Sequence, residues 1–126
     1  MTDYCRQRIG VEYSQHSDYS RPSINTSHEI ELTPDEGFIR RIEVVNGSAT
    51  SLDIDEFATA EAMVVANLHA TDYVTIGYTS SGAATACSFQ LAAGDWCRIV
   101  DVDPSVAPTF QSGAGTVKIE VVVTGS

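Results

Sequence analysis

The last third of the chain alternates short apolar runs with turn residues, and this rhythm restricts the fold more than any other feature. Tyr73 to Tyr78 runs into Thr79-Ser-Ser-Gly82, and Cys87 to Leu91 runs into Ala92-Ala-Gly-Asp95. Trp96 to Val102 follows, and Thr116 to Val123 ends the series. Runs this short, bounded by Gly, Ser and Asp, are strands with one face buried, because successive strand residues point to opposite sides. The pattern predicts an antiparallel β-sandwich or barrel.

The same pattern begins at His28. Ile30 and Leu32 alternate with Glu29, Glu31 and Thr33, and Pro34-Asp-Glu-Gly37 predicts a four-residue turn into a strand over Phe38 to Val45, which makes a hairpin. Asn46-Gly47 is a turn signal, and Leu52 and Ile54 supply alternating apolar positions for a third strand. Asp55 to Ala62 has helix-forming residues in too short a run for a helix, so a turn or a single helical turn is expected. Met63 to His69 and Asp72 to Tyr78 are two further strands. With those at Cys87, Trp96 and Thr116, the total is about eight, the count of a jelly roll or a comparable sandwich. Pro104 and Pro108 place the segment before Thr109 in a surface loop. The period of two turns Phe38, Ile42, Leu52, Ile54, Val74, Ile76, Phe89, Leu91, Ile99, Ile119 and Val121 inward.

Residues 1–27 differ in character. Tyr4, Ile9, Val11, Tyr13 and Tyr19 are scattered among Ser, Gln, Asp and Arg, and Arg21-Pro-Ser23 closes the segment. We read 1–27 as an N-terminal arm on a β-sandwich domain of residues 28–126, with Val11 and Tyr13 in a short edge strand. The five apolar and aromatic residues are the candidate partner-binding set, too dispersed for a core strand pair and too apolar for a merely solvated tail.

Composition removes several function classes. The 126 residues carry 17 acidic and 7 basic side chains, a formal net charge of −10, whereas phosphate binding draws its affinity from clustered Lys and Arg. Nucleic acid is not an expected partner. No apolar stretch approaches the ~20 residues that cross a bilayer, and Met1 to Arg8 lacks the apolar core of a secretory signal, so neither a membrane nor export is expected. Cys5, Cys87 and Cys97 have neither metal-site spacing nor an even count, and are read as free buried thiols.

Val65 to Leu68, Asp72 to Gly77, Phe89 to Trp96, Arg98 to Val100 and Gly115 to Val123 succeed one another as an apolar strand, a strand ending in Gly, a strand entering an Ala-Gly-Asp turn, and a last strand after small residues. In this the chain resembles small β-sandwich virion proteins of tailed bacteriophages over about residues 50–124. The resemblance implies capsid decoration or cementing, or a place at a head or tail joint, with major capsid or other virion subunits as partners, homo-oligomers such as dimers or trimers, and a virion location after synthesis in the host cytoplasm. It carries over no catalytic residue.

Enzymatic patterns are missing. His16 with Asp18, His28 with Glu29 and Glu31, and His69 with Asp72 are neighbours without the spacing of a zinc site or the context of a triad, so no catalytic residue, metal ligand or cofactor is expected. Asp53, Asp55 and Glu56, or Asp101 and Asp103 on one face of a strand end, could hold a calcium ion; solvated loop carboxylates are the plainer reading. The competing function is a carbohydrate-binding sandwich stacking sugars on Trp96, Tyr73, Tyr78 or Phe110, or a tail or head-joint protein for host attachment. A single aromatic row on a concave face would favour sugar binding; apolar patches at the domain edge, with the arm extended away from the fold, would favour assembly.

Overall fold

The computed structural model describes residues 5–14, 22–32, 36–82 and 84–126. The chain divides into two compact units, Met1–Pro34 and Asp35–Ser126. In the first, strands β1 (Cys5–Ser14) and β2 (Pro22–Leu32) form a two-stranded antiparallel ribbon. One set of alternate positions pairs Arg6 with Glu31 and Arg8 with Glu29, and both arginines reach the Glu29 carboxylate. The other set pairs Cys5, Gln7, Ile9, Val11 and Tyr13 with Leu32, Ile30, His28, Thr26 and Ile24. The residue 27/28 boundary expected for the arm falls inside β2. The hairpin expected between Ile30 and Val45 is not formed, because β2 takes β1 as its partner.

The second unit has eight strands: β3 (Glu36–Val44), β4 (Thr50–Ser51), β5 (Ala60–Asn67), β6 (Val74–Ser80), β7 (Thr85–Leu91), β8 (Trp96–Val102), β9 (Thr109–Ser112) and β10 (Val117–Gly125). Pairing is nested. β3 pairs with β10, β4 with β9, β5 with β8 and β6 with β7, all antiparallel. Further pairing of β10 with β5 and of β9 with β6 folds this long double strand into two halves, β3-β10-β5-β8 and β4-β9-β6-β7. That wrapping of first strand against last is a jelly roll, an all-β sandwich. Asn46-Gly47 and Ala92 to Asp95 carry the chain from one half to the other instead of closing hairpins, since β3 and β4, like β7 and β8, are not partners.

The halves enclose one core. Val44, Met63, Val65, Ile99, Ile119 and Val121 come from the first, and Val74, Ile76, Leu91 and Phe110 from the second. All the residues expected inside face this core, with Phe38, Ile42 and Phe89 only partly buried. Leu52, Ile54 and Phe57 fill it from an irregular segment rather than from the expected third strand, and Leu52 N–H donates to the Pro108 carbonyl at 2.9 Å. The eighth strand is instead β9, directly after the segment expected to be loop, where no strand was expected.

A bulge makes the corner where the halves meet. Between Thr124 and Gly125 the register of β10 against β5 shifts, so that Ala62 faces outward with Thr124 while Ala60 turns inward. On β8 the matching residue is Asp101, whose φ of 59° is left-handed backbone, and beyond it Val102 turns into the core and pairs with Ser80 of β6. Asp101 secures the corner. Its carboxylate accepts from Ser80 Oγ (3.2 Å), Ser81 Oγ and Gly82 N–H (2.8 Å), and these bonds hold its pKa below the usual carboxylate value.

Candidate interaction surface

In β3-β10-β5-β8 the inward row uses one set of alternate positions, and register fixes the outward set. Ile39, Val122, Val64 and Arg98 stand in one cross-strand row; Gly37, Thr124, Ala62 and Val100 flank it on one side, and Arg41, Glu120, Ala66 and Trp96 on the other. These are positions where an antiparallel sheet facing water carries polar residues. Here the centre is aliphatic. Ile39 is 69% exposed and Val100 and Trp96 each 48% exposed, while Val64, Ala66 and Val122 are half-buried and Ala62 and Thr124, at the bulged end of the face, are buried. An apolar area of this kind, rimmed by charge, is the usual mark of a protein-binding surface.

The rim is charge-paired. Arg41 Nε lies 3.1 Å from Glu120, and Lys118 Nζ lies 4.0 Å from Glu43. Arg40, Arg41, Arg98 and Lys118 are the basic residues of Asp35–Ser126, and all but Arg40 stand on this face, beside only two acidic residues, Glu43 and Glu120. A chain with net charge −10 therefore keeps this face free of its excess negative charge. The outward positions of the other half, Thr75, Gly77, Thr79, Ala86, Ser88, Gln90, Thr109 and Gln111, are uncharged and mostly polar.

The expected partner-binding residues all fall within Met1–Pro34. Ile9, Val11 and Tyr13 share one set of alternate positions on the ribbon, and Ile9 is 48% exposed; Tyr4 and Tyr19 lie outside the described residues. Reading Trp96 as a sugar-stacking candidate left the residues around it on this face unassigned: the signal available was that Trp96 alternates with Cys97 and Ile99, the inward pair. Ile39 and Val122 were legible only as members of unbroken apolar stretches, which leave the outward side unassigned.

The remaining candidates take structural roles. Phe110 is wholly buried, Tyr78 is half-buried, and Tyr73 and Trp96 belong to different halves, so the four aromatics do not form a row. His69 Nδ1 accepts the N–H groups of Thr71 (3.1 Å) and Asp72 (2.9 Å), which sets the Nε2–H tautomer and folds the loop after β5. Buried Asn67 ties that loop down: Nδ2 donates to the carbonyls of Asp72 (2.9 Å) and Leu91 (3.2 Å), and Oδ1 accepts from His69 N–H (3.0 Å). His28 lies in β2 opposite Ile9, and His16 lies outside the described residues.

Among the described residues, no group of three His, Cys, Asp or Glu side chains could hold a metal ion. Asp101 and Asp103 do not act together, because the left-handed backbone at Asp101 breaks the alternation and Asp103 bonds Ser105 instead (2.7 Å to Oγ). Asp53 accepts the Asp55 N–H at 3.0 Å, which lowers its pKa, while Asp55 is raised by the carboxyl beside it. Cys87 and Cys97 are free thiols, only partly buried, and burial pushes the Cys97 thiol up, the reverse of an activated nucleophile.

No family model matches the chain, and no curated protein is significantly similar in sequence. Among solved structures, it is similar to Peruvianin-I, described as a cysteine peptidase from Thevetia peruviana latex, with a TM-score of 0.51 at 15% identity, over 95% of this chain. The chain spans 61% of the length of that protein. A chain of the disulfide-linked pili of Bacillus endospore appendages is similar with a TM-score of 0.37 at 19% identity, over 75% of this chain and 96% of the other. At these identities the likeness to Peruvianin-I is one of fold alone.

Proposed function

We propose that this protein is a structural virion subunit of the capsid decoration or cement kind, which holds neighbouring protein subunits together and catalyses no reaction. The observation that carries this reading is the exposed aliphatic face of β3-β10-β5-β8, centred on Ile39, Val64, Val100 and Val122. Burying it removes apolar area from water at about 25 cal/mol per Å². A jelly roll with a single packed core supplies the rigid body on which such a face stays in register, and many copies on one particle turn modest contacts into avidity. The resemblance of residues 50–124 to tailed-phage virion proteins gives the setting.

Sugar binding is supported less, since Phe110 is in the core and the exposed aromatics are on different halves. A thiol-based activity is supported less too, because Cys97 is held as a neutral thiol. The test is density-gradient fractionation of phage particles from a culture making the chain. Cofractionation with particles in stoichiometric amount, lost for Ile39→Glu, is the expected result. A chain that stays at the top of the gradient would contradict the virion reading.

A further inference from the structure

Among the described strands of Asp35–Ser126, β3, β4 and β7 each have a single partner and so form the edges of the sandwich. Two of these edges are guarded. β3 carries Glu36, Arg40, Arg41 and Glu43, and the Arg40 guanidinium lies 4.5 Å from the centre of the Phe38 ring. β4 has only two residues. Charge and brevity are the usual means by which an edge strand refuses further pairing. β7 has neither: its seven residues include no charge and no proline, and its register against β6 runs without a bulge. The core is also thinly covered beside it. Tyr78 on β6, Cys87 and Phe89 on β7 and Cys97 on β8 belong to the inward rows yet are only half-buried, and the Tyr78 hydroxyl bonds the Cys87 thiol. Val74, Ile76 and Ile99 on the same rows are buried.

We propose that β7 pairs antiparallel with β7 of a second copy about a two-fold axis through Ser88, which joins two β4-β9-β6-β7 halves into one continuous sheet. The inference goes beyond the assembly reading above and uses none of the face on which that reading stands. The strand is its own complement. Setting Ser88 against Ser88 places Cys87 opposite Phe89, Ala86 opposite Gln90 and Thr85 opposite Leu91 of the second copy, so all seven residues pair and the inward residues stay inward. A slip of one residue would set the inward row of one copy against the outward row of the other. Charge fits as well, because two chains of net charge −10 meet along a strand that carries none of it. Area sets the strength. Seven residues span roughly 24 Å, and with the ~10 Å between stacked sheets the edge offers about 240 Å² per copy. About 480 Å² over both copies is well below the ~1,200 Å² of a stable interface, so the pair is weak in dilute solution and forms where copies are held side by side.

The test is disulfide trapping in the full chain carrying Cys5→Ala, Cys87→Ala and Cys97→Ala, with oxidised glutathione as oxidant and circular dichroism to show that each chain is folded. Ser88→Cys is expected to form a disulfide-linked dimer at least about 10-fold faster than Ala86→Cys, because two copies of residue 88 come within the ~7 Å that a disulfide spans, whereas two copies of residue 86 lie roughly 14 Å apart. Ala86→Cys mixed with Gln90→Cys is expected to cross-link as fast as Ser88→Cys. Adding Ile39→Glu should leave these rates unchanged, which separates this contact from the aliphatic face. Equal rates for Ser88→Cys and Ala86→Cys, or a Ser88→Cys rate that falls with Ile39→Glu, would overturn the proposal. Should the cysteine-free chain not fold, sedimentation equilibrium at high concentration decides instead. The wild-type chain is then expected to dimerise and Ser88→Lys, with like charges opposed at the axis, to stay monomeric. Equal association of the two would overturn the pairing.

Discussion

The two halves of the jelly roll share a core and differ on the outside. Outward from β4-β9-β6-β7 stand Thr75, Thr79, Ser88, Gln90, Thr109 and Gln111, the residues expected of a sheet that meets water. Outward from β3-β10-β5-β8 stand Ile39, Val64, Val100, Trp96 and Val122. Inward rows are equally apolar in both. Folding therefore accounts for one side of each sheet and for the polar outside of one half. The aliphatic outside of the other half is not part of the core that the two halves share, and that surplus is the observation behind the assembly proposal.

The largest effects should be the same in both halves. Phe110→Ala removes a wholly buried ring from the second half and Ile119→Ala a wholly buried side chain from the first; urea denaturation should show losses of about 3–5 and 2–5 kcal/mol. A loss under about 1 kcal/mol at either site would mean that the halves do not share one core.

The corner that joins them comes next. Because its folded pKa is lowered, Asp101 stabilises the protein fully above the unfolded carboxylate value of about 3.9, and this contribution disappears as pH falls through the lowered value. Asp101→Asn keeps a residue that tolerates left-handed backbone but removes the charge. Thermal melts between about pH 5 and pH 2 should show a shallower acid decline for the variant than for wild type. Identical declines would detach Asp101 from the corner. Gly82→Ala probes the same bonds, since a Cβ there would come within 2.4 Å of the Asp101 carboxylate.

Exchanging the outer surfaces sharpens the contrast further. Ile39→Thr with Val122→Thr gives the first half the exterior of the second, and stability should move by only about 0.5 kcal/mol per site while association through that face is lost. Gln111→Val with Thr75→Val should leave the fold intact and create new self-association, read by light scattering. The smallest effect concerns Thr124, whose buried Oγ1 has no hydrogen-bond partner among the described residues. Thr124→Val should be neutral or stabilise by up to about 1 kcal/mol in the same urea experiment, because an unpaired hydroxyl leaves the interior. A destabilisation of that size would reveal an unseen partner.

Much of the fold was legible because period-two alternation marks a buried row wherever one face is polar, as in Val74-Thr75-Ile76 and Ile119-Glu120-Val121. Strand partners were less legible. Asn46-Gly47 and Ala92 to Asp95 report only that the chain turns, and a jelly roll sends the strands after such turns to the opposite half. Thr109 to Ser112 is a strand because it completes the pairing of β4 and β6, a long-range contact that Pro108 beside it conceals. The aliphatic outer face was hidden for a different reason. In Val121-Val122-Val123 and Met63-Val64-Val65 both sides of the strand are apolar, so alternation cannot separate the core row from the exposed one until register is known. The ribbon was taken for a dispersed arm because its apolar row comes from two strands, with Ile9 and Val11 on one and Ile24 and Ile30 on the other.

Trp96, the single tryptophan of the chain, stands on the outer face of β3-β10-β5-β8 and would report directly on the proposed contact. Its fluorescence, followed with acrylamide quenching as the protein is concentrated, should shift to shorter wavelength and become protected from quencher. The same titration of Ile39→Glu should leave the emission red and quenchable throughout. Emission independent of concentration in the wild-type chain, or an equal shift in the variant, would contradict the assignment of this face as the surface through which the protein assembles.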